Sequence, residues 1–303
     1  MLSVVVPAYN EEQMIEKAVA GIAAPLTEAG IVFELIFVND GSKDKTWSLI
    51  TTAAQAHSFV RGISFSRNFG KESAIFAGLA EAKGDCVAVI DCDLQHPPEK
   101  LVEMYRLWEQ GFEVVEGVKT ARGRESVAHG LGARWFYRMI SKAAKVDMTN
   151  ASDFKLLDRK AVEALLRLPE KDTFFRALSS WIGFRTCQVR YDVQERAAGS
   201  THWGRRALMG YAVSNITSFT SLPMQIVTWL GVGMFALGLA VSIEALVSWF
   251  RDVAVEGFTT VIILQCFSGS IIMVSLGVIG YYIARIYEEI KGRPRYIISE
   301  RVE

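Results

Sequence analysis

Two stretches near the end of the chain, Met224–Phe250 and Phe258–Ala284, hold a single charged residue between them, Glu244. At about 1.5 Å rise per residue each makes a helix of roughly 40 Å, enough to cross a hydrocarbon core of about 30 Å with some tilt. Two such stretches in tandem are too long and too apolar to be core helices of a soluble domain, so a transmembrane hairpin is expected. The connector carries Arg251, Asp252 and Glu256, whereas Arg205 and Arg206 precede the hairpin and Arg285, Lys291, Arg293, Arg295 and Arg301 follow it. By the positive-inside rule both ends face the cytoplasm and the connector lies outside. Glu244, close to the connector, snorkels to the outer interface. No basic, apolar leader precedes Ser3, so the polar part is expected to stay cytoplasmic at the inner membrane. The expected organisation is a catalytic domain over 1–204, an amphipathic interfacial helix over 205–223, membrane helices over 224–250 and 258–285 joined by an external loop over 251–257, and a cytoplasmic tail over 286–303.

Residues before the hairpin alternate short apolar runs with helical patterns. Ser3–Val6, Glu34–Val38, Arg61–Ser64, Cys86–Ile90 and Phe112–Val118 read as strands, and Glu11–Ala24, Asp44–Ala56, Lys71–Ala82 and Pro98–Gln110 as helices between them. Apolar strands without polar alternation, separated by helices, imply an α/β fold with a mostly parallel sheet covered on both faces. Further on, Ser126–Lys145 reads as an aromatic and basic helix, Asp153–Asp158 as a strand, Arg159–Leu166 as a short helix and Thr186–Val193 as another strand. In such sheets ligands bind beyond the carboxyl ends of the strands. Polar clusters stand at five of those ends: Pro7–Glu12, Asn39–Ser42, Arg67–Lys71, Asp91–Gln95 and Lys119–Arg124.

The sharpest cluster is Asp91-Cys92-Asp93 after an apolar strand. Carboxylates at i and i+2 suit a hard divalent cation, Mg²⁺ or Mn²⁺, which shares its oxygen ligands with phosphates. Gln95 offers an amide oxygen. Beside Tyr9, Asp40 reads as an acceptor for a base or ribose donor. Lys119, Arg122, Arg124 and Arg196 are candidates for phosphate contacts. The formal net charge of zero gives no global basic field for nucleic acid. The sequence has no P-loop, no dinucleotide fingerprint, no nucleophile elbow and no Cys/His cluster with zinc spacing.

SVVVPAYNEE, FVNDGSKDKT, SFSRNFGKESAIFAGL, VIDCDLQHPPE, SDFKLLDR, ERAAGSTHW, ITSFTSLP and GYYIARIYEEIKGRPRYII together resemble the family-2, GT-A-fold polyprenyl-phosphate glycosyltransferases. The nearest likeness is to bacterial bactoprenol (undecaprenyl phosphate) glucosyltransferases, with dolichol-phosphate mannose synthases more distant. The resemblance implies inverting transfer of a hexose from a nucleotide-sugar to a polyprenyl phosphate; glucose from UDP-glucose to undecaprenyl phosphate fits best. Mannose, an amino sugar or aminoarabinose remain alternatives, as does an inactive nucleotide-sugar sensor beside a flippase. A homo-oligomer also stays open. By the same resemblance, Pro7, Tyr9, Glu11 and Asp40 bind the nucleotide; Lys119 joins them as a nucleotide-side candidate by its charge at the end of the fifth strand. Asp91, Asp93 and Gln95 hold the metal and diphosphate, Asp153 is the proposed base, and Arg196 grips phosphates. Three departures are Asn39 in place of a frequent aspartate, Cys92 as a redox-sensitive middle of the Asp-x-Asp, and His202 where lysine is common.

Overall fold

The computed structural model describes residues 1–120, 152–170, 174–192, 222–251 and 257–303. The expected helix over Ser126–Lys145, residues 205–221 of the expected interfacial helix and residues Arg122, Arg124, Arg196 and His202 lie outside them, while 222 and 223 open a described helix. Two compact units emerge: Met1–Met209 with Pro294–Glu303, and Gly210–Arg293.

The first unit is built from β1 (Leu2–Ala8), α1 (Ile15–Glu28), β2 (Phe33–Asn39), α2 (Thr46–Ala56), β3 (Val60–Phe65), α3 (Lys71–Glu81), β4 (Cys86–Val89), α4 (Lys100–Glu109), β5 (Val114–Lys119), β6 (Lys155–Asp158), α5 (Arg159–Leu166), α6 (Phe175–Trp181), β7 (Thr186–Tyr191) and β8 (Ile298–Val302). Its sheet has eight strands in the order β7-β5-β6-β4-β1-β2-β3-β8. β4, β1, β2 and β3 run parallel, as the buried runs imply. Leu2, Val4, Val6, Leu35 and Phe37 point to one face, under α1, α2 and α4. Val5 points to the other, where α3 crosses so closely that a Cβ on Gly78 would lie 2.1 Å from a Val5 methyl.

Pro7 stands inside β1, a central strand, although proline cannot donate to a ladder. Val5 O accepts from Ile90 N–H (3.1 Å), so residue 7, two positions on, faces the same side, past the last paired residue of β4. No partner is lost there.

Two strands depart from the parallel expectation. β6 is antiparallel to both β4 and β5. An apolar run reveals that a strand is buried, not which way it points. The stretch expected as a tail contributes β8, antiparallel to β3 at the sheet's edge. Its sequence, Ile-Ser-Glu-Arg-Val, is mostly exposed, as suits an edge strand, and carries no buried run to betray it. Tyr296 stacks on Phe65 (centroids 5.0 Å apart, 13°), Trp47 Nε1 donates to Glu300 (2.9 Å) and Arg301 pairs with Glu81 (2.8 Å).

The second unit contains α7 (Leu222–Phe250) and α8 (Phe258–Ile290). Within them Met224–Glu244 and Phe267–Ile290 are long and apolar enough to cross a membrane, and neither is buried within the protein. Helix α8 runs past the expected Arg285 boundary to Ile290. Its last turns carry Tyr281, Tyr282 and Tyr287, residue types that favour a membrane–water interface.

Candidate active site

The loops after β1 and β2 are laced together. Asn10 N–H donates to Ser42 Oγ (2.9 Å), Glu11 N–H to Thr46 Oγ1 (2.9 Å) and Glu12 N–H to Asp44 Oδ2 (3.2 Å). In return Lys43 N–H donates to Asn10 Oδ1 (3.0 Å) and Lys45 N–H to Glu12 Oε2 (3.1 Å). Asn10 takes a left-handed backbone (φ 55°), a turn conformation asparagine tolerates. The result is a cross-braced ledge on which Tyr9 stays 45% exposed. Pro7 and Glu11 are half-buried beside it, and Lys119 is exposed at the end of β5.

Asp40 has a duty the sequence did not reveal. It is only 3% exposed, and its two oxygens accept from Phe69 N–H (2.7 Å) and Gly70 N–H (2.9 Å). Burial outweighs these bonds and pushes its carboxyl up from the usual range. Asp40 therefore fixes the loop that leads into α3. Gly41 serves the same close approach: its φ is +65°, and a Cβ there would lie 2.3 Å from the Arg67 carbonyl carbon.

That loop delivers Lys71, the first residue of α3, to the ends of β4 and β6. Lys71 Nζ lies 2.5 Å from Asp91 Oδ1 and 2.9 Å from Asp153 Oδ2. Arg176 Nε and Nη2 grip the same Asp153 at 2.7 and 2.8 Å, a bidentate fork. Burial alone would raise the Asp153 carboxyl, but Lys71 and Arg176 overcome it and hold the group far below the usual carboxylate range. Likewise burial would lower the Lys71 ammonium, and Asp91 and Asp153 raise it instead. Sequence reading thus found both carboxylates but missed the two cations that join them.

Around Asp91 the chain turns sharply. Leu94 is left-handed (φ 55°), and Asp93 Oδ1 accepts from Gln95 N–H (3.1 Å). His96 is 7% exposed, stacked on Phe154 (5.0 Å, 13°), with Nδ1 4.0 Å from Asp91 Oδ2 and no hydrogen-bond partner among the described residues. Cys92 is 2% exposed; burial first, then Glu11, Asp93 and Asp91, push its thiol well up. A buried protonated thiol is inert, which corrects the expectation that Cys92 is redox-sensitive.

Among the described residues no three His, Cys, Asp or Glu side chains converge into a protein cage for a metal. The donors present are the carboxylates of Asp91 and Asp93, both partly exposed, with Gln95 beside them. That set fits Mg²⁺ or Mn²⁺ completed by oxygens of a bound diphosphate, and does not fit a cation held by protein alone.

Glu72 sits behind this cluster, accepting from Phe175 N–H (2.8 Å). Burial, then the ionised Asp153, raise its carboxyl to about 7, against the weaker pull of the Phe175 N–H, Arg176 and Lys71. A folded-state value above the unfolded one means that the folded protein keeps a proton the unfolded chain releases. Stability therefore falls as pH rises between about 4.5 and 7, by on the order of 3 kcal/mol. Glu72→Gln keeps an oxygen for Phe175 N–H and should flatten that slope; thermal melts across pH 4.5–8 in detergent check it, and an unchanged slope would refute the assignment.

One more charged pair lies beneath. Lys155 Nζ is 2.5 Å from Glu116 Oε1 across β6 and β5, with the lysine 0% exposed. It also donates to Ser179 Oγ (2.8 Å), Arg176 O (3.3 Å) and Ser180 Oγ (3.3 Å). A lysine and a glutamate within otherwise apolar strands are the signal that could have revealed this pair, since such residues are rarely buried without a partner.

Residues 3–166 match the model of glycosyl transferase family 2. The SfII prophage-derived bactoprenol glucosyl transferase of Shigella flexneri is 36% identical over 99% of this chain and 97% of its own. The uncharacterized glycosyltransferase sll0501 of Synechocystis sp. is 38% identical over 99% and 95%. Among solved structures, the glucosyl-3-phosphoglycerate synthase of Mycobacterium tuberculosis with Mn²⁺, UDP and glucosyl-3-phosphoglycerate is 24% identical over 71% of this chain and 76% of that one, with a TM-score of 0.45. Matched by the family model over more than half its length and by relatives nearly end to end, the chain belongs to glycosyl transferase family 2.

Proposed function

We infer that this glycosyltransferase moves glucose from UDP-glucose to undecaprenyl phosphate with inversion, giving a lipid-linked monosaccharide for cell-envelope glycans. The observation that carries the reading is the joining of Asp91 and Asp153 through one ammonium at the ends of adjacent strands. The two apolar helices and the end-to-end similarity to relatives named bactoprenol glucosyl transferase support a lipid acceptor. In this reading the catalytic unit and both termini face the cytoplasm.

Pro7, Tyr9, Glu11, Asp40 and Lys119 form the nucleotide side of the site. Asp91, Asp93 and Gln95 would hold Mg²⁺ or Mn²⁺, which when bound would supply positive charge to a departing diphosphate. Arg196 supplies a further phosphate contact. Asp153 is not a base. Its two oxygens already accept charge-assisted bonds from Lys71 and Arg176, and its carboxyl is held too low to take a proton near neutrality. The acceptor needs none: a phosphate monoester, with a second pKa of about 6, is largely dianionic at pH 7. The rate is therefore expected to rise as pH passes about 6 and then level, and Asp153→Asn should lower it without moving that inflection. A shifted inflection would restore the base role.

The test of the reaction uses purified protein in detergent with undecaprenyl phosphate, Mg²⁺ and a panel of labelled UDP- and GDP-sugars. Label from UDP-glucose in the lipid phase is the expected result. Label from another donor corrects the sugar. No label from any donor, with nucleotide-sugar still bound, favours the inactive-sensor alternative.

A further inference from the structure

We propose that Lys71 and Arg176, tied together by Asp153, form the subsite that receives the phosphate monoester of the acceptor lipid. The proposal rests on the reading above and deepens it.

Position across the sheet argues for it first. The nucleoside ledge stands over β1 and β2, and the Asp91–Asp93 turn follows β4, on the far side of β1. Asp153 leads into β6, one strand further from the nucleoside. A donor laid out in that order has its diphosphate at β4 and its anomeric carbon toward β6. In-line displacement requires the attacking oxygen beyond that carbon, opposite the leaving diphosphate. Asp153 stands on that side with Arg176 and Lys71 on its two oxygens, Lys71 reaching back to Asp91 as well.

Their burial argues second. The Asp153 side chain is only 6% exposed, whereas Lys71 is 42% and Arg176 31% exposed. The anion that tethers the pair is covered, and the cations reach solvent. Lysine supplies a mobile point charge and arginine a planar fork, a pairing suited to a phosphate with three oxygens to satisfy.

Preorganisation argues third. The backbone that carries Arg176 is pinned on both sides. Lys155 donates to the Arg176 carbonyl (3.3 Å), and the N–H of the preceding Phe175 donates to Glu72 (2.8 Å). Lys71 is placed by the loop that Asp40 holds. Both cations are thus fixed by buried groups. Ammonium and carboxylate are already in contact, so Lys71 must exchange part of its pairing with Asp91 for the incoming anion. Occupation of Asp91 by the divalent ion would release it to do so.

A phosphate at these cations could come from the donor's diphosphate or from the acceptor lipid, and two binding arms separate these. Full-length wild type, Lys71→Gln and Arg176→Gln are titrated in detergent with UDP plus Mg²⁺ in one arm and with farnesyl phosphate, a short prenyl phosphate, in the other. The expected result is a loss of roughly 10-fold or more in farnesyl phosphate affinity for each variant, with UDP affinity within about twofold of wild type. A parallel fall in UDP affinity would assign the cations to the donor and overturn the proposal, as would unchanged farnesyl phosphate binding. If a glutamine variant does not fold, Lys71→Arg and Arg176→Lys retain a cation beside Asp153 and carry the same comparison, with a several-fold effect expected. If wild type transfers sugar but the variants keep the acceptor KM, the subsite fails and the function stands. If wild type transfers from no donor yet farnesyl phosphate binding depends on both cations, the subsite stands and the function fails.

Discussion

Asp93→Ala is expected to lower transfer by about 10³-fold or more while the protein still folds and inserts. Asp93 and Asp91 are the carboxylates at the end of β4, and with Gln95 they offer the oxygen donors that suit a divalent ion shared with a diphosphate. Loss of one electrostatic stabiliser of a developing charge commonly lowers kcat by about 10²–10³-fold. Here the ion and part of its charge are lost together, so the upper end or beyond is expected. Asp93 is partly exposed and accepts a local turn bond from Gln95 N–H, and the melt shows whether its loss reaches the fold. Initial rates over a Mg²⁺ titration, with a melt to confirm folding, check the prediction. Near-wild-type activity, or wild-type activity in metal-free buffer, would refute the metal assignment.

Glu116→Ala is expected to destabilise the catalytic unit by about 3–5 kcal/mol, the usual effect of removing one partner of a buried ion pair. Lys155 is 0% exposed and has Glu116 as its only carboxylate within salt-bridge distance among the described residues. Burial already pulls the Lys155 ammonium down against the pull of Glu116, so the lysine would lose its proton or stay as an uncompensated charge. A fall of roughly 10 °C in melting temperature is the corresponding readout. The double change Glu116→Leu with Lys155→Met should recover most of the stability, because apolar residues of similar volume often replace a buried pair at little cost. Transfer should stay impaired in that double variant. The Arg176 carbonyl and the Ser179 and Ser180 hydroxyls would have lost their common donor, and with it the placement of Arg176 on Asp153. Full recovery of activity along with stability would show that the pair has no part in positioning.

The sequence disclosed the parallel half of the sheet because β1 to β4 are largely buried and mostly apolar, without the polar alternation of a one-faced strand. It disclosed Asp91 and Asp93 because they follow the end of an apolar run, and Asp153 only through the family resemblance of its motif. The antiparallel direction of β6 was hidden, since burial carries no sign of direction. β8 was hidden because an exposed edge strand has no apolar run at all. The cations were hidden for another reason. Lys71 meets Asp153 across 82 positions and Arg176 meets it across 23, and a lysine at a helix start or an arginine near a helix start reads as a solvated charge until the fold closes. Asp40 likewise read as a ligand-facing carboxylate, whereas much of its bonding capacity goes to the loop before α3.

The anomeric configuration of the lipid-linked sugar tests the central claim, a single displacement by the acceptor phosphate at this strand edge. The product made from UDP-glucose and undecaprenyl phosphate can be read by proton and phosphorus NMR couplings after mild extraction. A β-linked glucosyl phosphate, inverted from the α-linked donor, is the predicted result. An α-linked product would mean retention and would contradict a single in-line displacement by the acceptor phosphate.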